Sequence, residues 1–344
     1  MTALKAIIEA EIAAQGPMLL SRYMELCLSH PEHGYYMQQQ PFGVEGDFTT
    51  APEISQMFGE LIGLWLVHMW QESGAPDRFV LLELGPGRGT LMADILRVAK
   101  LAPAFLEAAQ VYLLETSTRL QAVQRAALGD VRHIERLEDL PEGPVFAVAN
   151  EFFDALPIRQ FVKNDFGWQE RLVVAGLTWR LSNTVQRPDL DKSFAGLETG
   201  RIVEVAEAGH AVANALTTRL ATQGGAALVI DYGDYDGTGD TFQAVQKHKK
   251  VGVFSAPGAA DLTAHVRFKD LVQNGVAHGF STQGDFLTRL GIEARKQTLE
   301  AAGAKGLSAE LARLTGSEEM GDLFKVLALV PEGYVEIAGF ENGA

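Results

Sequence analysis

The stretch Val80-Leu81-Leu82-Glu83-Leu84-Gly85-Pro86-Gly87-Arg88-Gly89-Thr90-Leu91 sets the architecture of this chain. An apolar run long enough for one buried strand ends in an acid, passes through three glycines and a proline, and opens into a helix-patterned segment over 91–98. Glycines in such a turn remove side-chain bulk and permit left-handed dihedrals, and the helix start behind them offers free N–H groups to a ligand. The plain alternative is a tight strand-to-helix turn with no ligand. A dinucleotide fingerprint, G-x-G-x-x-G, would need a third glycine at position 90, where this chain has Thr90.

Outward from this turn, short apolar runs recur at 111–115, 131–134, 145–149 and 227–230, separated by helix-length stretches, and strand character returns at 324–330. This is the signature of buried parallel strands in an α/β sheet. Residues 1 to about 75 read as a mainly helical cap, and 76–344 as the sheet-bearing domain. Within that domain, 158–200 reads as a β-rich insertion, a helix is expected from about 202 to 222, and 240–300 is expected to hold polar loops and helices.

The 344 residues, 47% hydrophobic and 21% charged, are ample for a packed core. Lysine and arginine number 29 against 44 acids, a net charge of −15, which argues against nucleic acid as the main ligand and favours a cationic partner. Cys27 is the only cysteine, so internal disulfides and multi-thiolate metal sites are excluded, and no metal or nucleophile signature stands out. Leu4, Ile7, Ile8 and Ile12 have helical spacing, but Glu9 and Glu11 interrupt any signal-peptide core, so the segment reads as an amphipathic helix. No apolar run approaches a membrane span. A cytoplasmic location follows as the expectation.

Two further strand ends carry polar groups. Glu115 closes the second strand, where a nucleoside-binding sheet places an acid to accept ribose hydroxyls; alone it would read as a solvated carboxylate. Leu137, Glu138 and Asp139 follow the third strand, where such a fold contacts adenine. The fourth strand runs into Asn150-Glu151-Phe152-Phe153-Asp154-Ala155-Leu156-Pro157, which puts two carboxylates and an amide at the ligand-binding edge. Glu151 and Asp154 are suited to hold a guanidinium by bidentate hydrogen bonds, although Asp154 as a helix cap is the bland alternative. Ahead of the sheet, the glycine-bearing loop from Gly43 to Gln56 supplies Asp47 and Glu53 as groups able to close over the site, against a reading in which Pro52 and Glu53 merely start a helix.

Glu83, two positions before the first glycine of G-x-G-x-G, resembles motif I of class I S-adenosylmethionine-dependent methyltransferases. Gly34-Tyr35-Tyr36, the loop from Gly46 to Gln56, Glu83 to Gly89, Asn150 to Pro157, Asp231-Tyr232-Gly233, Asp261 to His265 and Thr282-Gln283-Gly284 occur in the order seen in the MidA family of class I methyltransferases. The resemblance covers essentially the whole chain. It implies a Rossmann-like class I methyltransferase fold, a seven-stranded, mostly parallel sheet with an N-terminal helical cap and a β-rich insertion. It implies S-adenosyl-L-methionine as cofactor, with Glu83, Gly85, Gly87 and Gly89 around its methionine part, Glu115 on the ribose, Leu137 and Glu138 near adenine, and Asn150 as a further cofactor-binding residue. It implies Glu151 and Asp154, with Asp47 and Glu53, as the catalytic set. Mitochondrial members of the family are complex I assembly factors that symmetrically dimethylate an arginine of a core subunit of the quinone module, so the resemblance implies that activity and an arginine-bearing protein partner, a complex I core subunit or, for a chain without a transit peptide, a different acceptor. A non-catalytic chaperone that binds the cofactor, and a small-molecule methyltransferase, are the competing readings. The assembly stays open between monomer and homodimer.

Overall fold

The computed structural model describes residues 2–38, 50–273, 275–334 and 336–341. Seven strands form the central sheet: β1 (Phe79–Leu84), β2 (Ala109–Leu114), β3 (Arg132–Ile134), β4 (Val145–Asn150), β5 (Gly225–Asp234), β6 (Val276–Thr282) and β7 (Phe324–Pro331). Their spatial order is β3-β2-β1-β4-β5-β7-β6. Only β7 runs against the others, pairing antiparallel with both β5 and β6. A two-residue strand, Val266–Arg267, pairs in parallel with the far end of β5. Every residue of β1 and β4 is buried, as expected of runs covered on both faces.

Helices cover both faces. On one, α3 (Gln56–Glu72) and α4 (Thr90–Val98) pack with Phe79, Leu81, Phe146, Val148, Leu228 and Ile230. On the other, α6 (Glu207–Gln223) contributes Ala213, Leu216 and Leu220 against Val80, Leu82, Ala147 and Val229. The α3–α4 contact is unusually close. A Cβ added at Gly59 would lie 2.5 Å from the Asp94 Cβ, and one at Gly63 would lie 2.5 Å from a Val98 methyl. These two glycines, one turn apart on α3, let the helix lie directly on the helix that begins at the glycine turn.

The cap and the insertion are joined. α1 (Ala3–Gln15), whose N-terminus is capped by the Thr2 hydroxyl, and α2 (Leu20–Ser29) bury Leu4, Ile8, Ile12, Tyr23 and Met24 against Ile158, Val173 and Leu177 of the insertion. Met18–Leu19, between the two helices, pairs antiparallel with Val173 and Leu172. The insertion sheet contains Arg159–Asn164, Gly167–Val174, Thr178–Leu181 and Ile202–Val205.

Two boundaries differ from the sequence reading. The expected helix from 202 starts only at Glu207, because Ile202–Val205 pairs with Arg159–Val162 and alternates half-buried and buried residues. The 240–300 region contains β6 and a small sheet of Gln243–Gln246, Lys249–Val251 and Asp261–Thr263. Their alternation of polar and apolar residues is weak, and β6 gains its apolar cover from β7 beside it. Among the described residues, no helix is long and apolar enough to cross a membrane.

Gly63→Leu is expected to force α3 and α4 apart and to destabilise the protein by about 1–3 kcal/mol, read from the shift in urea unfolding midpoint at unchanged slope.

Candidate functional site

The glycine turn sits at the carboxyl end of β1. Gly85 (φ 65°), Gly87 (φ 52°) and Gly89 (φ 84°) all adopt left-handed backbone, and Gly89 caps α4. A side chain at Gly85 would meet the Phe152 ring at 2.8 Å. The turn, with Glu83, Thr90, Asn150, Glu151, Thr50, Pro52 and Glu53, lines a narrow, solvent-open cleft.

Two acceptors on adjacent strands lack a protein donor. Glu83 takes the Met92 N–H on one carboxylate oxygen, while its buried Oε2 has no partner. Burial raises the Glu83 pKa to about 8. Asn150 donates to Glu151 Oε1 at 3.1 Å, and its buried Oδ1 is also without a donor. Buried acceptors left bare are costly, so a ligand bringing N–H groups fits here.

Glu115 stands at the end of β2. Its Oε1 accepts the Ser117 N–H at 2.8 Å and its Oε2 accepts from Gln124 Nε2 at 3.1 Å. Burial is the main cause of its raised pKa. The same Gln124 amide donates to the Gly87 carbonyl at 2.7 Å. The sequence reading did not single out Gln124; a buried glutamine on the inner face of α5 (Thr118–Leu128) carries no motif.

The fourth strand delivers the second set of groups. Glu151 has a left-handed backbone (φ 51°), uncommon for a residue other than glycine and costly outside sites that require it. Its carboxylate accepts the Ala51 N–H, at the start of the short helix Ala51–Ile54. Burial first, and Asp154 second, raise the Glu151 pKa to about 7. Asp154 is buried, is hydrogen-bonded to Tyr232, and has one oxygen without a donor. Asp231, fully buried on β5, accepts the N–H groups of Phe153 and Asp154 at 3.0 and 3.2 Å and so holds the turn that presents Asp154. Burial, with Asp154 and Glu151 nearby, lifts Asp231 well above the ordinary carboxylate range. Tyr36 donates to Asp261 at 3.0 Å and lies close enough to Asp154 to feel its charge. Asp231 entered the sequence reading only within Asp231-Tyr232-Gly233, with no role assigned to it.

Of the expected residues, Glu83, Gly85, Gly87, Asn150, Glu151 and Glu53 share the cleft, and Glu53 accepts a 2.8 Å hydrogen bond from the Thr90 hydroxyl. Gly89 lies beneath them, and Glu115 is linked through Gln124. Asp154 neighbours Glu151 but turns toward Tyr232. Leu137 packs on the apolar face of the sheet, while Glu138 is exposed and paired with Arg136 at 3.2 Å. Asp47 lies outside the described residues.

A parallel sheet in this order, with a glycine turn after its first strand, an acid after its second and polar groups after its fourth, defines a class I methyltransferase. Residues 61–285 match the family described as "Putative S-adenosyl-L-methionine-dependent methyltransferase", and the chain belongs to that family. It is 36% identical to protein arginine methyltransferase NDUFAF7, mitochondrial, of Rattus norvegicus, covering 97% of this chain and 85% of that protein. The Drosophila melanogaster homolog is 37% identical over 94% of this chain and 84% of its own length. A COG1565 superfamily member from Burkholderia thailandensis, solved with S-adenosyl-homocysteine bound, superposes with a TM-score of 0.85 at 29% identity, covering 99% of this chain and 95% of that one. Its native form gives a TM-score of 0.82 at 30% identity over the same shares.

The cytoplasmic expectation is corrected by these names: the rat, zebrafish and human relatives are all mitochondrial proteins.

Gly87→Val places a β-branched side chain at positive φ inside the turn, a strain of about 1–3 kcal/mol, and narrows the cleft that Gly87 lines. Calorimetric titration is expected to show no S-adenosylmethionine binding while circular dichroism stays that of the parent.

Proposed function

We propose that this chain transfers the methyl group of S-adenosylmethionine to a guanidinium nitrogen of an arginine in a protein. The observation that carries the reading is the crowding of Glu151, Asp154 and Asp231 into one buried group, each with its pKa raised by burial and, for Glu151 and Asp231, by neighbouring carboxylates. Such a group is poorly solvated when empty and is best satisfied by a flat, multiply donating cation. The names of the relatives, protein arginine methyltransferases, support the same substrate class. Following the family resemblance, we propose an arginine of a respiratory complex I subunit as the acceptor.

In this reading, Glu83 Oε2 and Asn150 Oδ1 take the ammonium of the cofactor, the glycine turn admits its backbone, and Glu115 takes the ribose. The bound cofactor supplies an electrophilic methyl sulfonium. Glu151 and Asp154 hold the guanidinium with one nitrogen directed at that methyl, and Glu151, titrating near neutrality, accepts the proton which that nitrogen must lose. Glu53 closes the cleft from the Ala51–Ile54 side through its bond to Thr90. We propose the cap over 1–75 and the domain over 76–344 as a division of labour rather than two folding units, because α3 packs into the core of the sheet.

Methyl transfer from labelled S-adenosylmethionine to arginine-bearing protein substrates tests the reading. Glu151→Gln is expected to lower turnover at least about 100-fold, the scale of a lost general base, and to leave cofactor affinity within about threefold; equal loss of both would remove the assigned role.

Two pH effects follow from the raised Glu151 pKa. Parent kcat/KM should rise as pH increases through about 7, where Glu151 becomes charged, with that limb absent in Glu151→Gln. Stability should move the other way. The unfolded chain loses the proton near the ordinary value of 4.5 and the folded chain near 7, so the contribution is full below 4.5 and lost as pH rises through 7. Glu151→Gln should therefore melt higher than the parent at pH 8, by an amount that shrinks toward pH 5 in thermal scans.

A further inference from the structure

Gln124 is fully buried on α5, and both ends of its amide are hydrogen-bonded. Nε2 donates to the Gly87 carbonyl at 2.7 Å and to Glu115 Oε2 at 3.1 Å. Oε1 lies 2.8 Å from His133 Nε2 on β3. The orientation of this amide has one solution. Turning it over would set its oxygen against a carbonyl and a carboxylate, two groups that only accept, so the nitrogen must face them and the oxygen must accept from His133. The His133 proton is therefore on Nε2, in keeping with a half-buried imidazole whose pKa is lowered by burial and whose Nδ1 has no partner.

One side chain thus ties together three strand ends: the turn after β1, the acid after β2, and β3 through His133. The turn and the acid are the groups read above as gripping opposite halves of one cofactor, so the distance between them decides whether both halves are held at once. The turn itself is mechanically soft. It consists of three glycines at positive φ, held by backbone bonds from the Gly89 N–H to the Pro86 carbonyl at 2.7 Å and from the Gly85 N–H to the Leu114 carbonyl at 3.2 Å, and the Gln124 amide adds a side-chain bond at Gly87. Glu115, for its part, is held by the backbone N–H groups of Ser117 and Thr116 and by this amide, and without Gln124 its Oε2 loses the donor that points it toward the turn.

We propose that Gln124 is a positioning residue for the methyl donor: it fixes the spacing and orientation of the glycine turn relative to Glu115, with His133 locking its amide, and so sets cofactor affinity without touching the cofactor. The proposal rests on the reading of Glu115 as the ribose acid.

The test is calorimetric titration of the full chain with S-adenosylhomocysteine for the parent, Glu115→Gln, Gln124→Met, and the double variant. Methionine keeps the length and apolar stem of glutamine but neither donates to Gly87 nor holds Glu115. Gln124→Met is expected to weaken binding at least about tenfold, the scale of a lost hydrogen bond to a charged group. In the Glu115→Gln background the same change should cost clearly less, because part of its effect acts through Glu115. Gln124→Glu is the second variant, should methionine fail to fold; it retains the acceptor for His133, places a carboxylate against Gly87 and Glu115, and should weaken binding at least as much. A lower melting temperature with unchanged affinity in both variants, or losses that simply multiply in the double variant, would overturn the positioning role. If Glu115→Gln itself leaves affinity unchanged, the ribose assignment fails and the proposal falls with it, an outcome distinguishable from failure of Gln124 alone.

Discussion

Burying carboxylates at the carboxyl edge of a sheet is unfavourable, and much of this molecule is arranged to hold that charge in place. Glu83, Glu151 and Asp154 lie at or beyond the ends of β1 and β4, and Asp231 lies within β5 just past the last residue that pairs with β4. Each has some backbone or side-chain donor and an environment that still raises its pKa. Backbone N–H groups stabilise these acids enough to keep the fold, from Met92 for Glu83, from Ala51 for Glu151, and from Phe153 and Asp154 for Asp231. They do not satisfy them completely. The remainder is available to a cationic ligand, and binding strength can be drawn from strain already present in the empty site.

The rest of the architecture serves that edge. α3 and α4 pack at glycine-to-side-chain distance, so the helix after the glycine turn is fixed at its N-terminus by the bond between Thr90 and Glu53 and along its length by α3. The cap cannot drift from the insertion, because Met18–Leu19 is a strand of the insertion sheet and the helices on either side of it bury their apolar stripes there. The two excursions that frame the site are thus one packed unit built from distant segments of sequence.

The central sheet was legible because its strands are buried on both faces and read as unbroken apolar runs: 80–83 and 145–149 fall inside β1 and β4. The glycine turn was legible because dihedrals of that kind demand glycine. β6 escaped notice because Val276-Ala277-His278-Gly279-Phe280 has a polar residue and a glycine where an apolar run would be, and its pairing with β7 supplies the order that its own sequence lacks. Ile202–Val205 was read as helix for a similar reason: four residues are too few to show period two before α6 begins. At the site, charged motif residues were readable one at a time, but Asp231 and Gln124 act through contacts between elements, 77 and 37 residues away from Asp154 and Gly87 in sequence. No local pattern announces such contacts.

The left-handed backbone at Glu151 has a consequence for reading related sequences. Glycine or asparagine would occupy that dihedral at lower cost than glutamate, so a chain freed from the need for a carboxylate there gains stability by losing it. Relatives that have kept this sheet but serve only as scaffolds are then expected to reveal themselves at this one position, and the residue found there sorts working enzymes from retired ones.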